Sequence, residues 1–337
     1  MTQDSRFARR TFIKGAGLGL GWMGAPALAE TVPLDASAPL WSAEYWAKKG
    51  GVSLYLYRKR AGAPEAAAKK PVLFLVHGSS ISGRSSFDLA VPGQGEYSLM
   101  NVLARLGYDV WTMDHENYGR SARTAGNSDI ASGAEDLKAA TYLVLRETGL
   151  ARLHFAGTSS GAIRAGAFAM KHPERVDRLV LGAFTYTGEG SPTLKKRAEQ
   201  TAYYRAHSRR KRDRDMIRSI FTRDGANTTE PAVAEALADY ELKFGDEVPT
   251  GTYLDMTANL PLVDPAKVTA PVLLIRGEHD GIATLDDLVS FLRKLPNGDR
   301  QLTVLPNAAH SLTFDRDRYR FWHAIHAFLD VRQLAKG

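Results

Sequence analysis

Two periods of apolar spacing alternate along most of the chain. Short apolar runs closed by glycine, Pro71–Gly78 (PVLFLVHG), Arg152–Gly157 (RLHFAG) and Pro271–Gly277 (PVLLIRG), predict buried strands. Val52–Arg60, Tyr108–Asp114, Asp177–Phe184 and Arg300–Pro306 predict further strands. Between them, apolar residues recur at helical spacing. Tyr97–Gly107 carries Leu99, Val102, Leu103 and Leu106 on one face and stops at Gly107. Gly133–Gly149, Ala162–Pro173, Leu285–Pro296 and Arg318–Leu334 predict the other helices of the repeating pattern. Ala61–Pro71 (AGAPEAAAKKP) reads as a surface loop, and no internal repeat interrupts the series.

Strands that alternate with helices of this length predict an α/β fold, with a mostly parallel, doubly wound sheet covered on both faces. The alternation breaks between about Thr185 and Lys267, where the chain turns polar and helix-forming, and then resumes. That interruption predicts a helical cap inserted into one core. The expected organisation is an export signal at 1–29, a core at 30–184 and 268–337, and a cap at 185–267. Ligands of such sheets gather at the carboxyl ends of the strands, so the loops there are where chemistry is sought.

The first 29 residues depart from this pattern. Arg9 and Arg10 precede Phe12, Ile13 and Lys14, a Gly/Leu-rich apolar run follows, and Ala27-Leu28-Ala29 ends it. Charged, apolar and small-residue segments in that order have the logic of a cleaved export signal. The paired arginines resemble twin-arginine signals, which implies a periplasmic or secreted product beginning at Glu30. The apolar run is short and glycine-rich for a spanning helix, so no transmembrane segment is expected in the mature chain.

Charge and composition then narrow the chemistry. The net charge of +7 falls to +4 without the first 29 residues, an excess that does not call for nucleic acid. The chain has no cysteine, which excludes disulfides, thiolate metal sites and cysteine nucleophiles. Neither a metal-ligand cluster nor a nucleotide-binding glycine fingerprint is present, so no cofactor is expected.

His154–Ile163 (HFAGTSSGAI) places Gly157, Ser159 and Gly161 in the pattern G-x-S-x-G, between a predicted strand and a predicted helix. A serine on such a turn is pushed out of the sheet, and side chains at the flanking positions would collide with neighbouring elements. Ser159 is therefore the candidate nucleophile. The backbone N–H of Ser160, at the start of the helix, is a candidate oxyanion donor. Serine needs a base, and His310 follows the last strand in LPNAAHSLTFD. Asp280, in GEHDG after another strand, is the candidate acid; Glu278 competes for that role, and His279 is expected to take no part. The order Ser159, Asp280, His310 is the one this architecture requires. A second oxyanion donor is sought in His77-Gly78-Ser79-Ser80, where the N–H of Ser79 is the candidate and His77 is expected to prop the loop.

At these residues the sequence resembles the α/β-hydrolase superfamily with a helical cap, from about Val52 to Leu334. His77-Gly78 resembles its oxyanion turn, Gly157–Gly161 its nucleophile elbow, and GEHD and NAAH its acid and histidine turns. DHENYGRSAR, Asp114–Arg123, resembles its segment after the fourth strand, with Asn117 and Tyr118 departing from the usual pattern. A serine at the elbow sets the chain apart from the branches with a carboxylate nucleophile. The resemblance implies a serine hydrolase that cleaves a small or medium carboxylic ester, amide, thioester or lactone through an acyl-enzyme. Carbon–carbon bond hydrolysis or a lyase reaction with the same residues is the alternative, and a non-catalytic binding protein is the third.

The cap adds one more signal. Lys195–Arg223 holds eleven basic residues against Glu199, Asp213 and Asp215. A charge run of this kind fits a solvated cap surface. It also fits the steering of an anionic ester substrate or an anionic envelope surface.

Overall fold

The apolar runs pair into one twisted sheet, seen in a computed structural model that describes residues 39–64, 69–224 and 227–330. The strands are β1 (Leu40–Lys49), β2 (Val52–Ala61), β3 (Val72–Val76), β4 (Asp109–Met113), β5 (Leu153–Thr158) and β6 (Val176–Gly182). Two short strands, β7 (Arg209–Lys211) and β8 (Glu247–Pro249), lie in the inserted region, and β9 (Val272–Gly277) and β10 (Arg300–Leu305) complete the core. The eight core strands lie in the order β1-β2-β4-β3-β5-β6-β9-β10. From β4 to β10 all pairings are parallel, and β2 runs antiparallel to both of its neighbours.

Period-two alternation sends each strand's side chains to two helical layers. Val72, Phe74 and Val76 of β3 join one cluster, which takes in α3 (Ile130–Thr148), α4 (Ser160–Lys171) and α10 (Leu285–Lys294). Leu73 and Leu75 join the other, with Phe87 of α1 (Gly83–Phe87), α2 (Leu99–Arg105) and α11 (Arg318–Leu329). Phe155 of β5 packs on Phe168 of α4 with ring centroids 5.2 Å apart, both fully buried. Burying each such ring stabilises the fold by about 1.5–3 kcal/mol.

Several boundaries differ from the sequence expectation. β1 was not expected: LWSAEYWAKK has no continuous apolar run, because this edge strand is mostly half-buried or exposed. Helix α3 starts at Ile130, three residues before the expected Gly133, because Asp129 caps it by accepting from the N–H of Ser132 at 2.7 Å. The last helix ends at Leu329, and β2 runs through Ala61 into the expected loop. The export signal at 1–29 lies outside the described residues.

The inserted region carries α5 (Pro192–Ala198), α6 (Thr201–Ala206), α7 (Arg214–Thr222), α8 (Pro231–Glu241) and α9 (Gly251–Ala258), plus the antiparallel pair β7–β8. Among the described residues, no helix is long and apolar enough to cross a membrane.

Candidate active site

Four strand ends deliver the candidate residues to one place. At the end of β5 the chain turns sharply into α4, with Ser159 at φ 57° and ψ −129°. That backbone region is costly for a residue with a Cβ and persists only where neighbours hold it. Here the N–H of Ser159 donates to the Gly182 carbonyl at 2.9 Å, and its carbonyl accepts from Ala162 at 2.9 Å. A Cβ on Gly157 would lie 2.7 Å from the Cα of Ala162, and one on Gly161 would run into the carbonyl oxygens of Val76 and His77. The turn is this tight because only hydrogen fits at both positions.

Past β10, the loop carries His310 over the elbow. Its Nε2 lies 2.9 Å from Ser159 Oγ and its Nδ1 lies 2.8 Å from Asp280 Oδ1. The imidazole and the carboxylate are both buried. Asp280 Oδ1 also accepts from the N–H groups of Ile282 at 2.8 Å and Ala283 at 3.0 Å. Burial alone would raise the Asp280 carboxyl, but the charge and hydrogen bond of His310 and the two backbone donors outweigh it and hold it below the usual range. With Asp280 ionised, Nδ1 carries the proton and Nε2 faces the serine as an acceptor. Glu278 and His279 are exposed on the outside of the same turn, where Glu278 accepts from the N–H of Asn307 at 2.9 Å.

Beyond β3, the backbone of Gly78 runs so close to the elbow that a Cβ there would lie 3.2 Å from the Cβ of Ser159. Ser79 follows directly. Its hydroxyl lies 2.8 Å from Ser160 Oγ and 2.7 Å from Thr252 Oγ1. Ser160 opens α4, so its N–H is among those with no acceptor inside the helix. The structure therefore brings Ser79, Ser159, Ser160, Asp280 and His310 into one cluster at the mouth of the sheet.

His77 lies fully buried beneath this turn. Its Nε2 accepts from the N–H of His115 at 3.0 Å, so the proton sits on Nδ1, which donates to the Gly78 carbonyl at 2.8 Å. Burial first, then the neighbouring His115 and Arg164, push its pKa well down and keep it neutral. His77 thus fixes the turn, with both ring nitrogens engaged by backbone groups.

Other supports were not visible in the sequence. Asp224, two residues past the cap's α7, accepts from the N–H of His310 at 3.2 Å. Glu241 of α8 is fully buried and accepts from Ser82 N–H at 2.7 Å, from the hydroxyls of Ser82 and Ser85, and from Arg212. Arg212 in turn donates to the Ser80 carbonyl at 3.0 Å. Tyr253 of α9 hydrogen bonds to the Ser80 hydroxyl. The cap is therefore tied to the loop that carries Ser79 by four side chains distant in sequence, Arg212, Glu241, Thr252 and Tyr253.

A cavity of about 370 Å³ opens above Ser159 and His310 between core and cap. Its apolar wall includes Met216, Ile220 and Phe314, and its cap side includes Lys196, Arg197, Arg210 and Arg223.

A serine, an imidazole and a buried carboxylate in hydrogen-bonded line, on a capped parallel sheet of this order, define the chain as an α/β hydrolase. The family described as Serine aminopeptidase, S33 (Hydrolase_4) matches residues 93–317, and the chain belongs to it. That span contains Ser159, Ser160, Asp280 and His310, while Ser79 lies before it. A 2-hydroxy-6-oxononadienedioate/2-hydroxy-6-oxononatrienedioate hydrolase of Paraburkholderia phymatum is 28% identical over 270 residues, covering 74% of this chain and 83% of that protein. Among solved structures, a 2-hydroxy-6-oxo-6-phenylhexa-2,4-dienoate hydrolase from a Rhodococcus strain superposes with a TM-score of 0.59 at 18% identity, over 86% of this chain and 99% of that one. An esterase from Exiguobacterium antarcticum gives 0.62 at 15% identity, over 85% and 99%. At these identities, the two superpositions speak for the fold alone.

Proposed function

We propose that the protein is a serine hydrolase that breaks the carbon–carbon bond beside a ketone in a small 2-hydroxy-6-oxo acid. The observation that carries the hydrolase part is the line Asp280–His310–Ser159 with separations of 2.8 and 2.9 Å. The bond type is supported by two relatives named as 2-hydroxy-6-oxononadienedioate/2-hydroxy-6-oxononatrienedioate hydrolases.

In this reading Ser159 Oγ attacks the ketone carbon as His310 Nε2 takes its proton. The N–H groups of Ser79 and Ser160 receive the oxyanion, and Asp280 steadies the imidazolium. The carbon–carbon bond breaks as its electron pair delocalises into the conjugated part of the substrate. His310 returns the proton to that fragment. Water, activated by the same imidazole, then releases the acid from Ser159.

A second reading keeps the acyl-enzyme and gives the leaving group a heteroatom, as in a carboxylic ester or amide. The family description, a serine aminopeptidase, favours it. Side-by-side rates on a 2-hydroxy-6-oxo dienoic acid and on matched p-nitrophenyl esters separate the two. A kcat/KM higher by at least tenfold for the diketone-derived acid is expected, and the reverse ratio overturns the first reading. The signal-like order of residues 1–29 supports an exported enzyme, so activity is expected in the periplasmic or secreted fraction.

A further inference from the structure

The basic run of the cap does not behave as one surface. Arg214 pairs with Glu235 at 2.7 Å and Asp239 at 2.6 Å, Arg218 pairs with Glu235 at 2.6 Å and Asp215 at 3.0 Å, and Lys211 lies 3.1 Å from Asp213. Arg212 is buried against Glu241. These are the charges of a solvated face and of an internal clamp. A second group borders the cavity, with Arg197, Arg210 and Arg223 half-buried and Lys196 exposed. Lys196, Arg197, Arg210 and Arg223 line the cavity above Ser159, and among the described residues its lining contains no aspartate or glutamate. Among the described residues, no carboxylate hydrogen bonds or pairs with Lys196, Arg197 or Arg210, and Arg223 reaches only Asp224, at 3.9 Å.

Arg197 and Arg210 share one platform. Their guanidinium carbons lie 5.1 and 4.7 Å from the centroid of the Tyr253 ring. Two like charges held together and partly stripped of water repel each other. Burial first, and then Arg223, lower the Arg197 pKa to about 10, with Arg210 adding to the effect. An anion beside them in the cavity would relieve both costs, and a guanidinium fork fits a carboxylate with two parallel hydrogen bonds.

We propose that Arg197 and Arg210, stacked on Tyr253 and backed by Arg223 and Lys196, form a carboxylate subsite that holds the acid end of the substrate while Ser159 faces its carbonyl. The proposal rests on the hydrolase reading and deepens it by assigning the substrate's charge to these residues. A carboxylate on a hydrocarbon chain fits better than a free inorganic anion, because Met216, Ile220 and Phe314 line the same cavity. The Tyr253 hydroxyl also bonds to Ser80, next to the candidate oxyanion donor Ser79, so the subsite and the reacting end share one side chain.

The test has two arms. The first compares kcat/KM for a carboxylate-bearing ester with that for a neutral ester of equal length. Arg197→Gln/Arg210→Gln is expected to lower the ratio about 100-fold, as the loss of two charge-assisted contacts implies. Arg214→Gln/Arg218→Gln, which removes as much charge from the outer face, is expected to leave the ratio in place. A ratio unchanged in the first pair, or lowered equally in both, overturns the proposal. The second arm needs no turnover and no arginine variant: calorimetric titration of Ser159→Ala protein with glutarate and with inorganic phosphate. Saturable glutarate binding, tighter than that of phosphate and weakened by salt, is expected. No glutarate heat, or phosphate binding alone, overturns the subsite even if the enzyme proves to be a hydrolase.

Discussion

Replacing Asp280 with asparagine removes one charge and nearly preserves shape, so its effect follows from the hydrogen bonds. Oδ1 takes all three donors, His310 Nδ1 at 2.8 Å and the N–H groups of Ile282 and Ala283 at 2.8 and 3.0 Å. Oδ2 is buried and has no partner among the described residues. An NH2 group at the first position would face two N–H donors, so the amide oxygen takes it and the NH2 takes the second. His310 then keeps its proton on Nδ1, and Nε2 still faces Ser159. What disappears is the carboxylate charge that stabilises the imidazolium. For charge centres about 4 Å apart at an effective dielectric near 20, that is about 4 kcal/mol. At 1.36 kcal/mol per decade it corresponds to about a 10³-fold loss in kcat. The buried NH2 costs a further 1–3 kcal/mol or so of stability. The assay is kcat at pH 7 on any substrate the wild type turns over, beside a thermal melt of the same protein. A folded Asp280→Asn enzyme within tenfold of wild-type kcat would refute the role of this carboxylate.

Other substitutions probe the same architecture. Ser159→Gly should melt higher than Ser159→Ala, by the equivalent of about 1–2 kcal/mol, because glycine tolerates the positive φ at the elbow, and both should lack turnover. Glu241→Gln leaves Arg212 without its buried partner and should cost about 3–5 kcal/mol in a denaturant melt, with kcat lowered as the loop carrying Ser79 loosens. Burial raises the Asp315 carboxyl to about 7, above its unfolded value, so the folded state binds the extra proton and loses stability as pH climbs from about 4 to 7. Asp315→Asn should therefore raise Tm relative to wild type at pH 8 by more than at pH 4; an equal difference at both would remove the explanation.

The sequence displayed the parts of the site that local chemistry dictates. Gly157 and Gly161 announce a turn too tight for side chains. GEHD and NAAH follow apolar runs that must end at the same edge of a parallel sheet, which is why three residues far apart in sequence were readable as neighbours. Strand β1 was not readable, because an edge strand with alternating half-buried positions resembles a loop in composition. The pairs Arg212–Glu241 and Asp224–His310 were equally invisible, since nothing local distinguishes a buried acid of the cap from a solvated one. The basic run shows the limit most plainly. Eleven charges look alike along the chain, and tertiary packing alone sends Arg214 and Arg218 to carboxylates outside and Arg197 and Arg210 to the cavity.

The central claim is that Ser159 is a nucleophile made reactive by His310, and a fluorophosphonate probe tests it most directly. Attack by Ser159 Oγ forms an oxygen–phosphorus bond, fluoride leaves, and His310 takes the serine proton. Intact mass and peptide mapping should show one adduct per chain, located on Ser159 and absent from Ser159→Ala. A folded wild-type protein that stays unlabelled, or carries its adduct on another residue, would contradict the account.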